Sequence, residues 1–163
     1  TRNRSSAASD VYKRQIKLPP SMMMQNWMGT DFTNDDLVQR SSISDDYTNT
    51  IIGNEEIDGY DCWKIELIPN EDAPVVWGKL VMWIDKTDYM QLKTEFYDEY
   101  EDMVSVMTSN QIKDFNGKKL PSIIEYVPLD EDGNKTIIER LVWQFDIDIN
   151  QRYFLPSYMK NLR

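Results

Sequence analysis

The residues in this chain that could do chemistry are almost all carboxylates. They fall in doublets and clusters: Asp35-Asp36, Asp45-Asp46, Glu55-Glu56, Asp98-Glu99 with Glu101-Asp102, and Asp130-Glu131-Asp132. Two carboxyls divide acid and base work in a hydrolase only when both reach one bond. Neighbours on a strand point to opposite faces, so these doublets are poor catalytic pairs and read as solvated turns. The segment Asp130-Glu-Asp-Gly-Asn134 has the outline of a calcium loop, but Lys135 stands where an EF-hand needs its glycine. The chain has no histidine, which removes Ser-His-Asp and Cys-His catalysis and imidazole-bound zinc. Its one cysteine, Cys62, sits mid-strand in Tyr60-Asp-Cys-Trp-Lys-Ile-Glu-Leu67 and makes neither an intrachain disulfide nor a cysteine metal site. The glycines stand singly, mostly at turns, and none forms a phosphate-cradling loop. No enzyme, cofactor or metal is expected.

The side chains in surplus are apolar and adaptable: five Trp and nine Met in 163 residues. Most of them serve a core, with Met filling irregular gaps, but the same side chains suit a cavity for flexible hydrocarbon. Net charge is −10, although residues 1–15 are basic (Arg2, Arg4, Lys13, Arg14). So acidic a body repels a phosphate backbone and an anionic membrane surface, and nucleic acid is not an expected partner.

The elements that must position these residues are strands. A strand is expected over Met22–Met28, then a capped helix from Asn34 to about Arg40, started by Thr33-Asn-Asp-Asp36. Strands follow over Asn49–Ile57 and Tyr60–Ile68 around the turn Asp58-Gly59, and over Trp77–Asp85 and Met90–Tyr97. Further strands cover Met103–Asp114 and Lys119–Val127 around Asn116-Gly117, then Thr136–Ile147. Alternation sets Trp63, Ile65 and Leu67 against Cys62, Lys64 and Glu66. It also sets Ile137, Leu141, Trp143, Phe145 and Ile147 against Thr136, Arg140, Gln144 and Asp146. Leu80–Ile84 is apolar on both faces, as in a strand covered on both sides. The fold class is therefore mostly β, a curved antiparallel meander of roughly seven or eight strands. One short helix cannot cover such a sheet. It must curl, be covered by other chain, or keep an apolar concavity.

Two stretches carry a family likeness. The run Met22-Met-Met-Gln-Asn-Trp-Met-Gly-Thr-Asp-Phe-Thr-Asn-Asp-Asp-Leu37 and the hairpin Val75–Glu99, with Trp83-Ile-Asp85 at its turn, resemble the LolA-like outer-membrane lipoprotein-sorting proteins of Gram-negative envelopes. The likeness covers roughly Ile16 to Leu162. It implies an open half-barrel that shelters acyl chains and a periplasmic or outer-membrane-associated location. It also implies a carrier whose partners are lipoprotein acyl chains or another lipid. Met22, Met24, Trp63, Met82, Trp83, Phe96 and Trp143 are the candidates for the apolar lining. LolA-like proteins are often associated with RND-type exporters, so the alternative is an envelope adaptor for an RND-type transporter, without cargo of its own. The turn Asp98–Asp102 departs from the Asp-Gly turns of related hairpins.

Residues 1–15 (TRNRSSAASDVYKRQ) are aperiodic and opposite in charge to the rest of the chain. They resemble translated adapter sequence rather than a signal peptide. The expected organisation is a non-native tail over 1–15, then a LolA-like carrier domain over 16–163 that lacks the family's N-terminal helix, first strands and export signal.

Overall fold

The computed structural model describes residues 22, 25–27, 29–32, 34, 43–71, 73, 75–129 and 133–159. The expected tail, the body of the expected helix after Asn34 and most of the Met22–Met28 strand lie outside these residues. The described part is one seven-stranded antiparallel sheet in the order β1-β2-β3-β4-β5-β6-β7. The strands are β1 Tyr47–Ile57, β2 Tyr60–Pro69, β3 Lys79–Asp85, β4 Gln91–Tyr97, β5 Met103–Phe115, β6 Lys118–Pro128 and β7 Thr136–Glu139. Each pairs with its sequence neighbour, while β1 and β7 remain unjoined, so the meander is open.

Short-range chemistry sets the turns. Asp58-Gly59 and Asn116-Gly117 both hold positive φ (50° and 83°, 55° and 86°), the mirror-image turn whose twist matches a hairpin. In the β3–β4 turn, Asp85 is buried and its Oδ2 accepts the Asp88 N–H at 2.6 Å. That is the structural use of the Trp-Ile-Asp signature. In the β4–β5 turn, Asp98 Oδ1 accepts the N–H groups of Tyr100 and Asp102 at 2.9 and 3.0 Å, and Glu101 takes the left-handed position at φ 66°. A side-chain acceptor here closes the turn without a glycine.

Register divides the side chains between two faces. Leu67, Leu80, Met82 and Phe96 share one, and Lys64, Val81, Trp83 and Lys93 the other. Each face has its own apolar cluster: Tyr47, Leu67, Leu80 and Met82 on the first, and Cys62, Val81, Trp83, Met90 and Leu92 on the second. The run Leu80–Ile84 is thus apolar on both sides, because β3 serves both clusters. Register shifts at Ile51/Gly53, Trp83/Ile84 and Phe96/Tyr97 mark irregularities of the kind that bend and twist a sheet.

The last strand is shorter than its pattern. β7 ends at Glu139 rather than running to Ile147. Beyond it the two aromatic residues of the pattern pack instead of pairing, while Leu141 and Ile147 stay exposed. Trp143 meets Phe115 edge-on at 6.2 Å and stacks on Phe145 at 5.4 Å, while Asp146 turns at φ 54°. Within β7 the expected alternation of Ile137 against Thr136 holds. Thr136 and Ile138 pair with Tyr126 and Ile124 on the cluster face of Leu80, and Ile137 lies opposite Glu125 on the other. A 3-10 turn at Gln151–Phe154 and one helical turn at Pro156–Met159 end the described chain.

Candidate functional site

The face bearing Leu80 and Phe96 carries a partly open cavity of about 570 Å³, within the range of small-molecule sites. Strands β3 to β7 build its floor in sequence: Leu80 and Met82, Thr94 and Phe96, Met107 and Ser109, Ile124, then Ile138. Phe32 reaches it from before the sheet. Trp27 N–H bonds the Phe32 carbonyl at 2.7 Å, closing a tight turn. Asp31 then ties that turn to β7: its N–H donates to Thr136 Oγ1 at 3.0 Å, and Thr136 Oγ1 donates to its carboxylate. Phe32, Tyr126, Phe96 and Trp77 follow as a chain of tilted ring contacts at 5.0, 5.7 and 5.0 Å. Such offset pairs add to plain burial and stiffen the wall.

Few polar groups enter the lining. Gln91 Nε2 donates to Thr94 Oγ1 at 2.6 Å, so that pair is satisfied within the wall. Among the described residues Arg140 is the one charged lining residue, and burial pulls its guanidinium pKa below the ordinary value. No carboxylate of the described residues lines the cavity, and those residues hold no cluster of three metal-ligating side chains. The arrangement offers hydrocarbon a largely apolar, partly open recess and one cation at its edge.

The residues singled out from sequence are dispersed. Met82 and Phe96 line the cavity. Trp63 stacks on Tyr89, a lining residue, at 6.0 Å. Trp143 stands outside the lining, and its ring lies 4.5 Å from the Arg140 guanidinium carbon. Met22 is exposed at the surface and Met24 is outside the described residues. Trp83 lies on the opposite face, 1% exposed. There its Nε1 donates to Glu55 Oε2 at 2.9 Å, and the Lys64 and Lys93 ammoniums sit 4.7 and 4.4 Å from its ring centre. It is buried by lysine stems and ion pairs, not by a ligand space. Phe32, Leu80, Met107, Ile124, Ile138 and Arg140 are lining residues that pattern reading missed. Ile138 and Arg140 share a two-residue spacing with Thr136, and following that phase would have found them.

A sequence model of a family described as "Uncharacterized protein" matches residues 10–161, and the chain belongs to that family. No curated protein matches it. Among solved structures it is similar to a DUF1329 family protein from Desulfovibrio piger, with 22% identity over 85% of this chain and 57% of that one, at a TM-score of 0.73. A candidate outer membrane lipoprotein-sorting protein domain from Vibrio parahaemolyticus matches at 23% identity over 87% and 59%, also with a TM-score of 0.73. A LolA superfamily protein from Nitrosomonas europaea matches at 19% identity over 83% and 60%, with a TM-score of 0.58. The fold is LolA-like, and the chain spans less than two thirds of the length of these structures. Among the described residues no helix is long and apolar enough to cross a membrane.

Proposed function

We propose that residues 16–163 form a lipid- or lipoprotein-carrying domain of the periplasm, acting in outer-membrane lipoprotein sorting without enzymatic activity. The observation that carries this reading is the apolar cavity on one face of an open sheet. Acyl chains are the ligand class that fits it: each methylene removed from water contributes about 0.8 kcal/mol, and a wall rich in Met and aromatic side chains tolerates their many conformers. The likeness to sorting domains supports the same cargo class.

The test is native mass spectrometry of the full-length protein purified from an envelope extract, with lipids identified after denaturation. A bound diacyl lipid or acylated polypeptide is expected. Ile138→Glu, which puts a carboxylate into the cavity wall, should strip it. Ile137→Glu, the next residue on the opposite face, should not. Both positions are more than a third exposed, so either variant should fold. An empty, folded wild-type protein would overturn the carrier reading and favour an envelope adaptor for an RND-type transporter. Equal loss in both variants would show that the ligand is not held on the cavity face.

A further inference from the structure

The cavity changes character along its strands. Register sorts its face into rows: Leu80 beside Phe96, then Met82, Thr94, Met107 and Tyr126, then Ser109, Ile124 and Ile138. Two residues past Ile138 stands Arg140, whose N–H still reaches the Ser122 carbonyl at 2.7 Å. That bond continues the β6–β7 register and keeps the Arg140 side chain on the cavity face, where it joins the lining. One end of the cavity is therefore aromatic and aliphatic, and the other holds a cation.

The cation is poorly compensated by the protein. Lys64, Lys79, Lys86, Lys93 and Lys135 each meet a carboxylate, and the other described cations besides Arg140 that meet none, Lys113, Lys118, Lys119 and Arg152, are exposed. Arg140 meets none among the described residues. Its Nη1 donates to the Pro121 carbonyl at 3.2 Å and its guanidinium carbon lies 4.5 Å from the Trp143 ring centre. A guanidinium has five N–H donors, and a half-buried one without an anion is costly. In a chain of net charge −10 acids are abundant, yet none of the described ones turns to this arginine. A planar fork fixed by an aromatic ring is suited to bidentate capture of a carboxylate or phosphate.

We propose that Arg140 is the headgroup site of the cavity and that the cargo is an anionic amphiphile. Its carboxylate or phosphate pairs with the guanidinium while its hydrocarbon lies toward Phe96 and Leu80. Trp143 is the positioning residue that holds the fork. This inference rests on the carrier reading above and narrows it to a charge class.

Dodecanoate, dodecyl phosphate, dodecanol and inorganic phosphate, titrated into the full chain by calorimetry, separate the possibilities. A hydrogen bond to a charged group is worth about 1.5–3 kcal/mol, so dodecanoate and dodecyl phosphate should each bind about tenfold or more tighter than dodecanol. In Arg140→Gln that ratio should fall to about one, and Arg140→Lys should keep part of it. Trp143→Leu should reduce the ratio as well, with thermal unfolding confirming the fold of each variant. A wild-type protein that binds all three amphiphiles alike overturns the headgroup site and leaves the carrier reading standing. So does a preference that survives Arg140→Gln. Inorganic phosphate binding as tightly as dodecyl phosphate would make this a free-anion site instead. Failure to bind any amphiphile overturns both readings.

Discussion

At the residue scale, the sheet face opposite the cavity is held by a ladder of charges and rings. Tyr97 Oη donates to Glu95 Oε2 at 2.8 Å, Lys93 pairs with Glu95 at 2.7 Å, and Lys79 lies 4.4 Å from the Tyr97 ring centre. Burial and the Glu95 carboxylate push the Tyr97 phenol up to about 12. For Glu95, burial alone would raise the carboxyl, but the hydrogen bonds from Lys93 and Tyr97 and the nearby lysine charges outweigh it and lower it. The two directions give opposite pH limits. A raised phenol stabilises the fold fully below the unfolded value near 10, and that contribution is lost as pH climbs toward 12. A lowered carboxyl stabilises above the unfolded carboxylate value and is lost as pH falls through its folded one. Tyr97→Phe removes both the phenol and one hydrogen bond to Glu95. The stability gap between wild type and Tyr97→Phe, measured by urea unfolding, should therefore be widest near about pH 7–9 and narrow at about pH 11 and about pH 3. A gap that is constant across pH would contradict the pairing.

At the element scale, turn chemistry is legible from the chain, and side-chain facing only where the two faces of a strand differ in polarity. Asp58-Gly59 and Asn116-Gly117 announce their hairpins because few other pairs accept positive φ twice. The phase of β2 is also plain, since its two faces differ in polarity. β3 conceals its phase. Leu80, Val81, Met82 and Trp83 are all buried, so hydropathy cannot tell the cavity face from the lysine-covered one, and it groups Trp83 with Met82. β7 misleads differently: four residues are too few to fix a period, and the aromatic pattern after it serves packing on Phe115. Gly78 reads in the sequence as one more single glycine, yet it has a steric role. A Cβ there would lie 2.3 Å from the Asp98 carbonyl oxygen and 2.9 Å from the Glu99 Cα. These are backbone atoms, so the start of β3 or the β4–β5 turn must move. Gly78→Ala should cost about 1–3 kcal/mol, as overpacking does. Gly53→Ala is the control: nothing lies within 4 Å of its added Cβ, and its thermal midpoint should stay near wild type. Equal midpoints for the two variants would show that the close approach at Gly78 is not a constraint.

At the scale of the whole molecule, a single open sheet divides its apolar side chains between two small clusters. The lysine-covered face closes over its cluster with side chains of the sheet itself: Trp83, Cys62 and Leu92 are all at most 2% exposed. The cavity face is left less complete, for Ile51 and Ile138 remain exposed on it. A hydrocarbon ligand would supply the missing packing, so binding and folding should be linked. A ligand that binds only the native state stabilises it by RT ln(1 + [L]/Kd), about 2.7 kcal/mol at a hundredfold excess over Kd. For a domain of this size each kcal/mol raises the midpoint by roughly 2–4 °C. Saturating dodecanoate should thus raise the thermal midpoint of the wild type by about 5–10 °C. Ile138→Glu should abolish the rise and Ile137→Glu should keep it. The rise should also grow with the logarithm of ligand concentration, which separates site binding from a detergent effect that lowers the midpoint above a threshold. If calorimetry detects binding and the midpoint stays flat, the hydrocarbon does not complete the core on the cavity face.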